Sequence, residues 1–249
     1  MKLSDFFEKH PKVAVAFSGG VDSAYLLYSA LNHAKSVKAY YVKTVFQPHF
    51  ELDDARRFAV EHDLELKIIT LDILSDNNIS KNPDNRCYFC KKRMFSAITA
   101  EASADGYRVL LDGTNASDDY NDRPGMKALE ELSVLSPLRE CGLTKEDIRR
   151  LSKAAGLFTW NKQAYTCLAT RIPKGDIITE EKLERTEKAE NYLLSLGYRD
   201  FRVRLIGDSA KIQINATQIN KLISERKQIV SEFKKYYSSV LLDLEARDE

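Results

Sequence analysis

The sequence has almost no net charge, and it lacks any long apolar run. Its 38 Lys and Arg residues balance 37 Asp and Glu residues, which leaves a formal charge of +1. A protein without a large positive field has no general attraction for nucleic acid, so we expect no nucleic-acid partner. No stretch approaches the roughly 18 consecutive apolar residues that cross a membrane. We therefore expect a soluble, cytoplasmic protein that does not contact a membrane.

Cysteine is scarce as well. The chain of 249 residues has four cysteines, at positions Cys87, Cys90, Cys141 and Cys167. Nothing at the amino terminus has the pattern of an export signal, and in such a chain cysteines are typically reduced, metal-binding or reactive. A disulfide framework is therefore not expected. Cys141 directly precedes Gly142, where a helix or turn should end, and we assign it no functional role.

The Walker phosphate-binding pattern is also absent, because no Lys follows the second glycine of the Gly-Gly turn. The segment Ser18-Gly19-Gly20-Val21-Asp22-Ser23 instead follows the apolar run Val13–Val15 and precedes a helix-like sequence. Glycines let a ligand approach the backbone, and the first N–H groups of a helix attract an anion. Ser18 and Ser23 add hydroxyl donors, and Asp22 either holds a magnesium ion or fixes the loop. The segment predicts a phosphate cradle, with a ligand-free capped turn as the alternative.

Strands and helices alternate along the first part of the chain. Strands are predicted at Lys12–Phe17, Val37–Val42 and Glu65–Leu71, with helices between them. This alternation is typical of a parallel sheet, whose ligands bind beyond the carboxyl ends of the strands. A second glycine turn, Asp112-Gly113-Thr114-Asn115, follows the strand Val109–Leu111. We therefore expect Gly113 and Thr114 on the same side of the sheet as the glycine loop.

The last part of the chain has a different pattern. It predicts a helix, two strands joined by a short turn, a second helix and a final strand. A domain boundary is placed near Pro173–Gly175. The predicted fold class is α/β, with a parallel-sheet domain over residues 1–173 and a small α+β domain over residues 174–249.

Cys87 and Cys90 form a C-x-x-C pair before the predicted helix Lys91–Ala104. The pair can bind one metal, and Cys167 would complete a three-thiolate site if the fold brings it near. A structural zinc site needs a fourth ligand, and none stands at zinc-finger spacing. Three thiolates on a four-iron cluster would leave one iron open to hold a sulfide. A thioredoxin-like redox pair, in which Cys167 has no part, is a further alternative.

Arginine residues provide candidate anion contacts. In Phe201–Leu205 the period of two in a strand directs Arg202 and Arg204 to one face, while the apolar residues face a core. Two parallel guanidiniums can bind a phosphate, although two solvated arginines on an exposed face are an equal alternative. Arg123 and Arg171 lie in irregular segments. We favour a functional role for Arg171 because it shares a loop with Cys167.

Seven motifs together carry a resemblance to a known family. They are Ser18–Ser23, Asn82–Lys91, Asp112–Asn115, Asp122–Gly125, Ser136–Leu138, Cys167–Arg171 and Arg202–Arg204. The first resembles the pyrophosphate loop of the N-type ATP pyrophosphatases, or PP-loop enzymes, which split ATP into AMP and pyrophosphate. The whole set, in this order, resembles the LarE family of ATP-dependent sulfur transferases, and the resemblance covers nearly the full length.

The resemblance implies a reaction and a set of site residues. It implies that ATP adenylylates a carboxylate of a pyridinium dicarboxylate mononucleotide and that sulfur then replaces AMP, in biosynthesis of the nickel-pincer nucleotide cofactor of lactate racemase. Residues 18–23, Gly113 and Thr114 would bind ATP, with Asp22 assisting through magnesium. Arg202 and Arg204, with Arg171, would bind the mononucleotide phosphate. We also expect a homo-oligomer that contacts other lactate racemase maturation proteins transiently.

The family has two sulfur sources. In one form the cysteine matching Cys167 gives up its own sulfur and becomes dehydroalanine. In the other, cysteines matching Cys87, Cys90 and Cys167 hold a 4Fe-4S cluster that relays sulfide. Because this sequence has all three cysteines, we expect the cluster.

Two rival functions follow from the same motifs. A tRNA thiolase also combines a pyrophosphate loop with cluster-binding cysteines, but the near-neutral charge and the lack of further zinc-finger cysteines disfavour it. A non-catalytic nucleotide-binding or redox-sensing module would bind ATP without turnover.

Overall fold

A computed structural model describes residues 1–119 and 124–247 of the chain. Its helices and strands, in chain order, are α1 (Leu3–Lys9), β1 (Lys12–Ala16), α2 (Val21–His33), β2 (Ser36–Lys43), α3 (His49–Glu61), β3 (Leu66–Thr70), α4 (Asn77–Ser80), α5 (Arg86–Ala104), β4 (Leu110–Leu111), α6 (Pro124–Glu131), α7 (Pro137–Glu140), α8 (Lys145–Ala154), α9 (Glu180–Ser195), β5 (Phe201–Ile206), β6 (Ser209–Ile214), α10 (Ile219–Phe233) and β7 (Ser239–Leu242). Short 3₁₀ helices cover Phe158–Asn161, Leu168–Arg171 and Ala216–Gln218.

The chain forms two compact units. The first contains Met1–Ile73 and Asn85–Ala164, and the second contains Leu74–Asp84 and Tyr165–Glu249. Residues 165–173, with Cys167 and Arg171, therefore group with the second unit, whereas the sequence placed them in the first domain. The exact domain boundary at residues 173 and 174 stays a prediction.

A parallel sheet of four strands, in the order β3-β2-β1-β4, forms the centre of the first unit. The chain passes outward from β1 to β3 and then returns to place β4 on the other side of β1. This reversal creates a topological switch point at the carboxyl ends of β1 and β4, where open α/β sheets bind their ligands. The predicted α/β class is confirmed.

Both faces of this sheet are covered, as the apolar sequence of β1 requires. Val13 and Val15 pack into one core cluster, and Ala14 between them packs into a second cluster. All three residues are fully buried. A strand that is buried on both faces reads as a continuous apolar run, which is the pattern that marked β1 in the sequence.

The second unit contains the smaller sheet, in the order β5-β6-β7. Strands β5 and β6 are antiparallel, and β7 is parallel to β6. Phe201, Val203 and Leu205 of β5 are buried, as their alternation predicted. The segment before α5 joins this unit through Asn82, whose side-chain amide donates to the carbonyls of Ile172 at 3.2 Å and Pro173 at 2.6 Å.

A few elements differ from the sequence prediction. Residues 77–86 were expected to form a loop, yet they contain the single-turn helix α4. Helix α5 begins at Arg86, so the C-x-x-C pair lies within its first turns and not before it. The short helix α7 was not predicted. No helix in the described ranges is long and apolar enough to cross a membrane.

Candidate functional site

The glycine loop lies between the end of β1 and the start of α2, at the switch point of the sheet. Gly19 has a φ of +73°, a conformation that L side chains rarely adopt. A Cβ at Gly19 would also meet the Glu51 carbonyl oxygen at 2.9 Å, so the loop backbone packs directly against α3. Gly20 is the N-cap of α2 and makes no side-chain capping bond. The first N–H groups of α2 are therefore not used by a cap, and such groups attract an anion.

The two serines of the loop hold its shape. The Ser18 and Ser23 hydroxyl oxygens are 3.0 Å apart. Ser23 Oγ accepts from the Ser18 backbone N–H at 3.3 Å and donates to the Gly20 carbonyl at 3.2 Å. Both hydroxyls thus brace the turn before any ligand binds. Because the loop is already ordered, a ligand that binds there does not have to offset the free-energy cost of ordering the loop backbone.

The second glycine turn packs against the start of α2, on the side where the sequence placed it. A Cβ at Gly113 would meet the Ser23 backbone nitrogen at 2.9 Å. The buried Asp112 carboxylate accepts from the Thr114 hydroxyl at 2.5 Å and from the Ser136 hydroxyl at 2.6 Å. Gly113 is thus required for close packing, and Thr114 is fixed by Asp112. Their contact with ATP stays a prediction.

Asp22 lies in the first turn of α2 and forms an ion pair that the sequence did not reveal. Lys145 Nζ is 2.5 Å from Asp22 Oδ2. Asp22 Oδ1 is buried and has no hydrogen-bond partner among the described residues. Burial raises the pKa of the Asp22 carboxyl above its usual value, and Lys145 opposes this rise. A buried carboxylate oxygen without a donor fits a magnesium ligand, because Mg²⁺ binds through one or two carboxylates and the phosphates of its nucleotide.

Lys162 connects the glycine loop to α3. Its Nζ donates to the Gly19 carbonyl at 3.0 Å and lies 2.6 Å from Asp54 Oδ2 of α3. Arg149 of α8 holds the backbone around it, with bonds of 2.8 Å to the carbonyls of Trp160 and Lys162. The glycine loop is therefore clamped to α3 and α8.

The C-x-x-C pair projects from the first turns of α5 in the first unit. Cys87 is exposed, and the Cys90 sulfur is 3.7 Å from the Met94 sulfur. Arg86 Nη2 is 3.8 Å from the Cys87 sulfur. Within residues 1–119 and 124–247, no three His, Cys, Asp or Glu side chains are grouped so that they could hold one metal ion. The first turns of α5 thus present two sulfurs at this place. Cys141 packs against the core, and burial raises the pKa of its thiol.

Cys167 immediately precedes a 3₁₀ turn that Arg171 holds in place. The buried Arg171 guanidinium donates to Glu190 through Nε at 2.8 Å and through Nη2 at 3.1 Å. Its Nη1 donates to the hydroxyls of Thr166 and Thr170, each at 2.7 Å. These two threonines flank Cys167. Arg171 therefore fixes the cysteine loop, and a direct contact with a phosphate would have to replace these bonds.

Glu190 of α9 is the centre of this network, and sequence reasoning missed it. It is 1% exposed, and it accepts from Arg171, from the Tyr165 hydroxyl at 2.5 Å and from the Val203 N–H at 2.9 Å. Burial, followed by the Glu190 charge, raises the pKa of Tyr165. The sequence did contain an indication that Glu190 is buried. At helical spacing it lies on the same face of α9 as the buried residues Leu183, Thr186 and Leu193.

Arg202 and Arg204 of β5 lie beside this network and are not solvated surface residues. Arg202 is 6% exposed, and its guanidinium lies 5.3 Å from the Tyr165 ring centre. Arg204 Nη1 donates to the Thr170 carbonyl at 2.8 Å. Burial and the nearby Arg171 lower the pKa of Arg202 to about 10, and the same causes lower the pKa of Arg204. Positive charge concentrated in a buried place favours an anion. Arg123 lies outside the described residues.

A braced glycine loop, an uncapped helix start and a half-buried carboxylate at the switch point define a nucleotide-binding α/β protein of the PP-loop class. The family model described as "Queuosine biosynthesis protein QueC" matches residues 12–86, which include this loop. The chain is also 25% identical to the tRNA-specific 2-thiouridylase MnmA of Thermotoga petrophila over 67% of its own length and 58% of that protein.

Two more similar relatives cover most of the chain. The uncharacterized protein slr1717 of Synechocystis is 36% identical over 98% of this chain and 92% of that protein. The pyridinium-3,5-bisthiocarboxylic acid mononucleotide synthase of Lactiplantibacillus plantarum is 35% identical over 85% of this chain and 78% of that enzyme. The chain belongs to the LarE family, of which this synthase is a member.

Proposed function

We propose that the protein is an ATP-dependent sulfur transferase that converts carboxylates of a pyridinium dicarboxylate mononucleotide to thiocarboxylates. The similarity to the bisthiocarboxylic acid mononucleotide synthase suggests the substrate class. One structural observation supports it most strongly. Arg204 donates to the Thr170 carbonyl, so an arginine proposed to bind the substrate phosphate is bonded to the loop of Cys167.

The first half of the reaction is adenylylation at the glycine loop. The N–H groups at the start of α2 bind the ATP phosphates, and Asp22 would hold a magnesium ion, which would neutralise phosphate charge. A substrate carboxylate oxygen attacks the α-phosphorus, and the bond to the bridging oxygen breaks. Pyrophosphate leaves with the bonding electron pair. The braced loop keeps the phosphates in line, so positioning contributes most of the catalysis.

The second half replaces AMP by sulfur. Arg202 and Arg204 hold the mononucleotide phosphate as a pair of guanidiniums. Arg171 and Glu190 fix the turn of Cys167. A sulfur nucleophile attacks the acyl carbon, and AMP leaves with the electrons of the broken carbon–oxygen bond. The product carries a C–S bond where the adenylate was attached.

For the sulfur we propose a sulfide that a 4Fe-4S cluster would hold, with Cys87, Cys90 and Cys167 as the ligands of the cluster. A 4Fe-4S cluster on their thiolates would supply sulfide through its open iron. The alternative is attack by Cys167 itself, followed by β-elimination. That step removes the Cα proton, breaks the Cβ–S bond and leaves dehydroalanine.

The two sulfur sources predict different properties of the anaerobically purified protein. The cluster predicts a brown protein with iron and sulfide, in which replacing Cys87 abolishes transfer. Sacrifice predicts a colourless protein without iron that loses the mass of H₂S per product, in which replacing Cys87 has no effect. Replacing Cys167 abolishes transfer under both schemes. The proposed homo-oligomer, and the transient contacts with lactate racemase maturation proteins, are separate proposals.

The experiment for the proposed function measures pyrophosphate release with ATP and a pyridinium dicarboxylate mononucleotide. We expect release that requires both carboxylate and phosphate groups of the substrate. The control is the same ring as a nucleoside without phosphate, which should react poorly because Arg202 and Arg204 have no partner. ATP binding without substrate-dependent turnover would instead indicate a non-catalytic module. Salt-dependent retention of tRNA, with thiolation of it, would favour the thiouridylase reaction suggested by MnmA.

A further inference from the structure

Hydrogen bonds fix the backbone at Lys145, and its side chain reaches the proposed phosphate site. It is the first residue of α8, directly after the N-cap Thr144, whose hydroxyl accepts from the Asp147 N–H. Its own backbone N–H donates to the Ser117 hydroxyl at 3.0 Å. The start of the side chain is thus fixed, and its four-carbon stem ends 2.5 Å from Asp22 Oδ2. The ammonium group therefore lies beside the first turn of α2, where nucleotide phosphates would bind.

The carboxylate that Lys145 contacts is only partly satisfied. Asp22 Oδ1 is buried without a hydrogen-bond partner in the described part of the chain. Leaving a buried acceptor without a donor is unfavourable, because the acceptor has lost its hydrogen bonds to water. An ion pair with a structural role alone would not explain why Asp22 Oδ1 is buried without a donor. This arrangement is explained if the second oxygen serves a cation that arrives with the nucleotide.

An ammonium and a magnesium ion cannot both remain on one carboxylate without repelling each other. The side chain of Lys145 is 35% exposed, so it has room to turn away. The nearest incoming negative charges are the phosphates themselves. Lysine suits such a move, because it is a point charge on a flexible stem.

We propose that Lys145 is the catalytic cation of adenylylation: it holds Asp22 until Mg²⁺ and ATP bind, and it then moves to the departing pyrophosphate. This inference rests on the proposed function for its second step. As the bond between the α-phosphorus and the bridging oxygen breaks, the electron pair goes to pyrophosphate. The Lys145 ammonium balances that charge without transferring a proton. A cation placed beside the oxygen on which charge develops stabilises the transition state.

Two measurements on Lys145→Met test the two steps separately. The first is the Mg²⁺ concentration that gives half-maximal binding of α,β-methylene-ATP, a non-cleavable analogue, by equilibrium dialysis. We expect this concentration to fall at least about threefold, because the competitor for Asp22 is gone. The second is the rate of pyrophosphate formation at saturating ATP and Mg²⁺. We expect it to fall about 10²–10³-fold, as for the loss of one stabilising group. Lys145→Arg should keep part of this rate.

Lys153→Met is the matched control, because it removes an exposed lysine from the other end of α8. It should leave both quantities unchanged. An unchanged Mg²⁺ requirement in Lys145→Met would overturn the exchange, and a rate within about threefold of wild type would overturn the catalytic role. If the wild-type protein forms no pyrophosphate with the mononucleotide, the proposed function and the catalytic role both fail. The dialysis result would still decide whether Lys145 and Mg²⁺ compete.

Discussion

Gly19 and Gly20 are adjacent in the loop, yet the structure gives them different constraints. Gly19 has a positive φ, and its Cβ would lie 2.9 Å from the Glu51 carbonyl oxygen. Gly20 has an ordinary φ of −82°, and its Cβ would meet only Ser18 Oγ at 3.4 Å. We predict that Gly19→Ala lowers the free energy of unfolding by about 2 kcal/mol or more, from strain and backbone displacement together.

Urea unfolding of both alanine variants measures this difference. Gly20→Ala is the control for the loss of a loop glycine, and it should stay within about 0.5 kcal/mol of wild type. If both variants lost the same free energy of unfolding, the result would contradict the packing of Gly19 against α3.

Glu190 is the residue whose loss should affect the second unit most. Its carboxylate and the Arg171 guanidinium are 1% and 0% exposed, and removing one partner of a buried pair costs about 3–5 kcal/mol. We predict that Glu190→Gln destabilises the protein by that amount in denaturant unfolding. The control is Glu184→Gln on the same helix, where an exposed pair with Lys188 contributes less than about 0.5 kcal/mol. A loss below about 1 kcal/mol for Glu190→Gln would show that the network is not structural.

At the scale of elements, one carboxylate joins β2, β3 and the end of α5. Asp105 accepts from Lys67 at 2.9 Å and from the Tyr40 hydroxyl at 2.8 Å, and Lys38 lies 3.2 Å away. These partners, Lys67 first, lower the pKa of Asp105 to about 2. A lowered folded-state pKa gives stability that is complete above the unfolded pKa of about 4 and is lost as the pH falls toward 2.

We predict that Asp105→Asn flattens the acid limb of the stability curve. The melting temperature of the wild type should fall more steeply than that of the variant between pH 4 and pH 2, and the two curves should be parallel above pH 5. Asp53→Asn, which removes an exposed carboxylate of α3, should follow the wild type. Parallel curves for Asp105→Asn throughout would refute the role of Asp105.

The sequence was sufficient for most elements of the fold because their patterns are local. Buried strands such as β1 have apolar runs, and α8 has its capping residue Thr144 and its closing Gly156. The glycine loop was found for the same reason. Helix α7 was missed because four residues carry no periodicity, and α4 because its polar sequence resembles a loop.

The ion pairs of the site could not be found in this way. Lys145 is separated from Asp22 by 123 positions, and Lys162 is separated from Gly19 by 143 positions. These pairs depend on the tertiary structure that brings α8 and the segment after it next to the loop that follows β1, and no local sequence pattern specifies this. Glu190 is the exception, because a carboxylate in an apolar stripe predicts a buried partner.

At the scale of the whole molecule, the proposed site residues are divided between two compact units. The first contains the glycine loop, Asp22 and the C-x-x-C pair, and the second contains Cys167 and the arginines of β5. The first unit contains the residues that we propose for activation by ATP, and the second contains Cys167 and the proposed phosphate site on one bonded network.

This division predicts that the two half-reactions can be separated by one substitution. Cys167→Ser should still form pyrophosphate with ATP and the dicarboxylate mononucleotide, because it leaves the activation residues intact. It should form no thiocarboxylate. Cys141→Ser is the control, because Cys141 packs against the core, and it should form both products.

The most direct measurement is therefore a single turnover of anaerobically purified wild type, Cys167→Ser and Cys141→Ser, with pyrophosphate and the mass of the mononucleotide followed together. We predict that the wild type and Cys141→Ser give pyrophosphate and a product in which sulfur replaces oxygen, whereas Cys167→Ser gives pyrophosphate alone. Thiocarboxylate from Cys167→Ser, or no substrate-dependent pyrophosphate from the wild type, would contradict it.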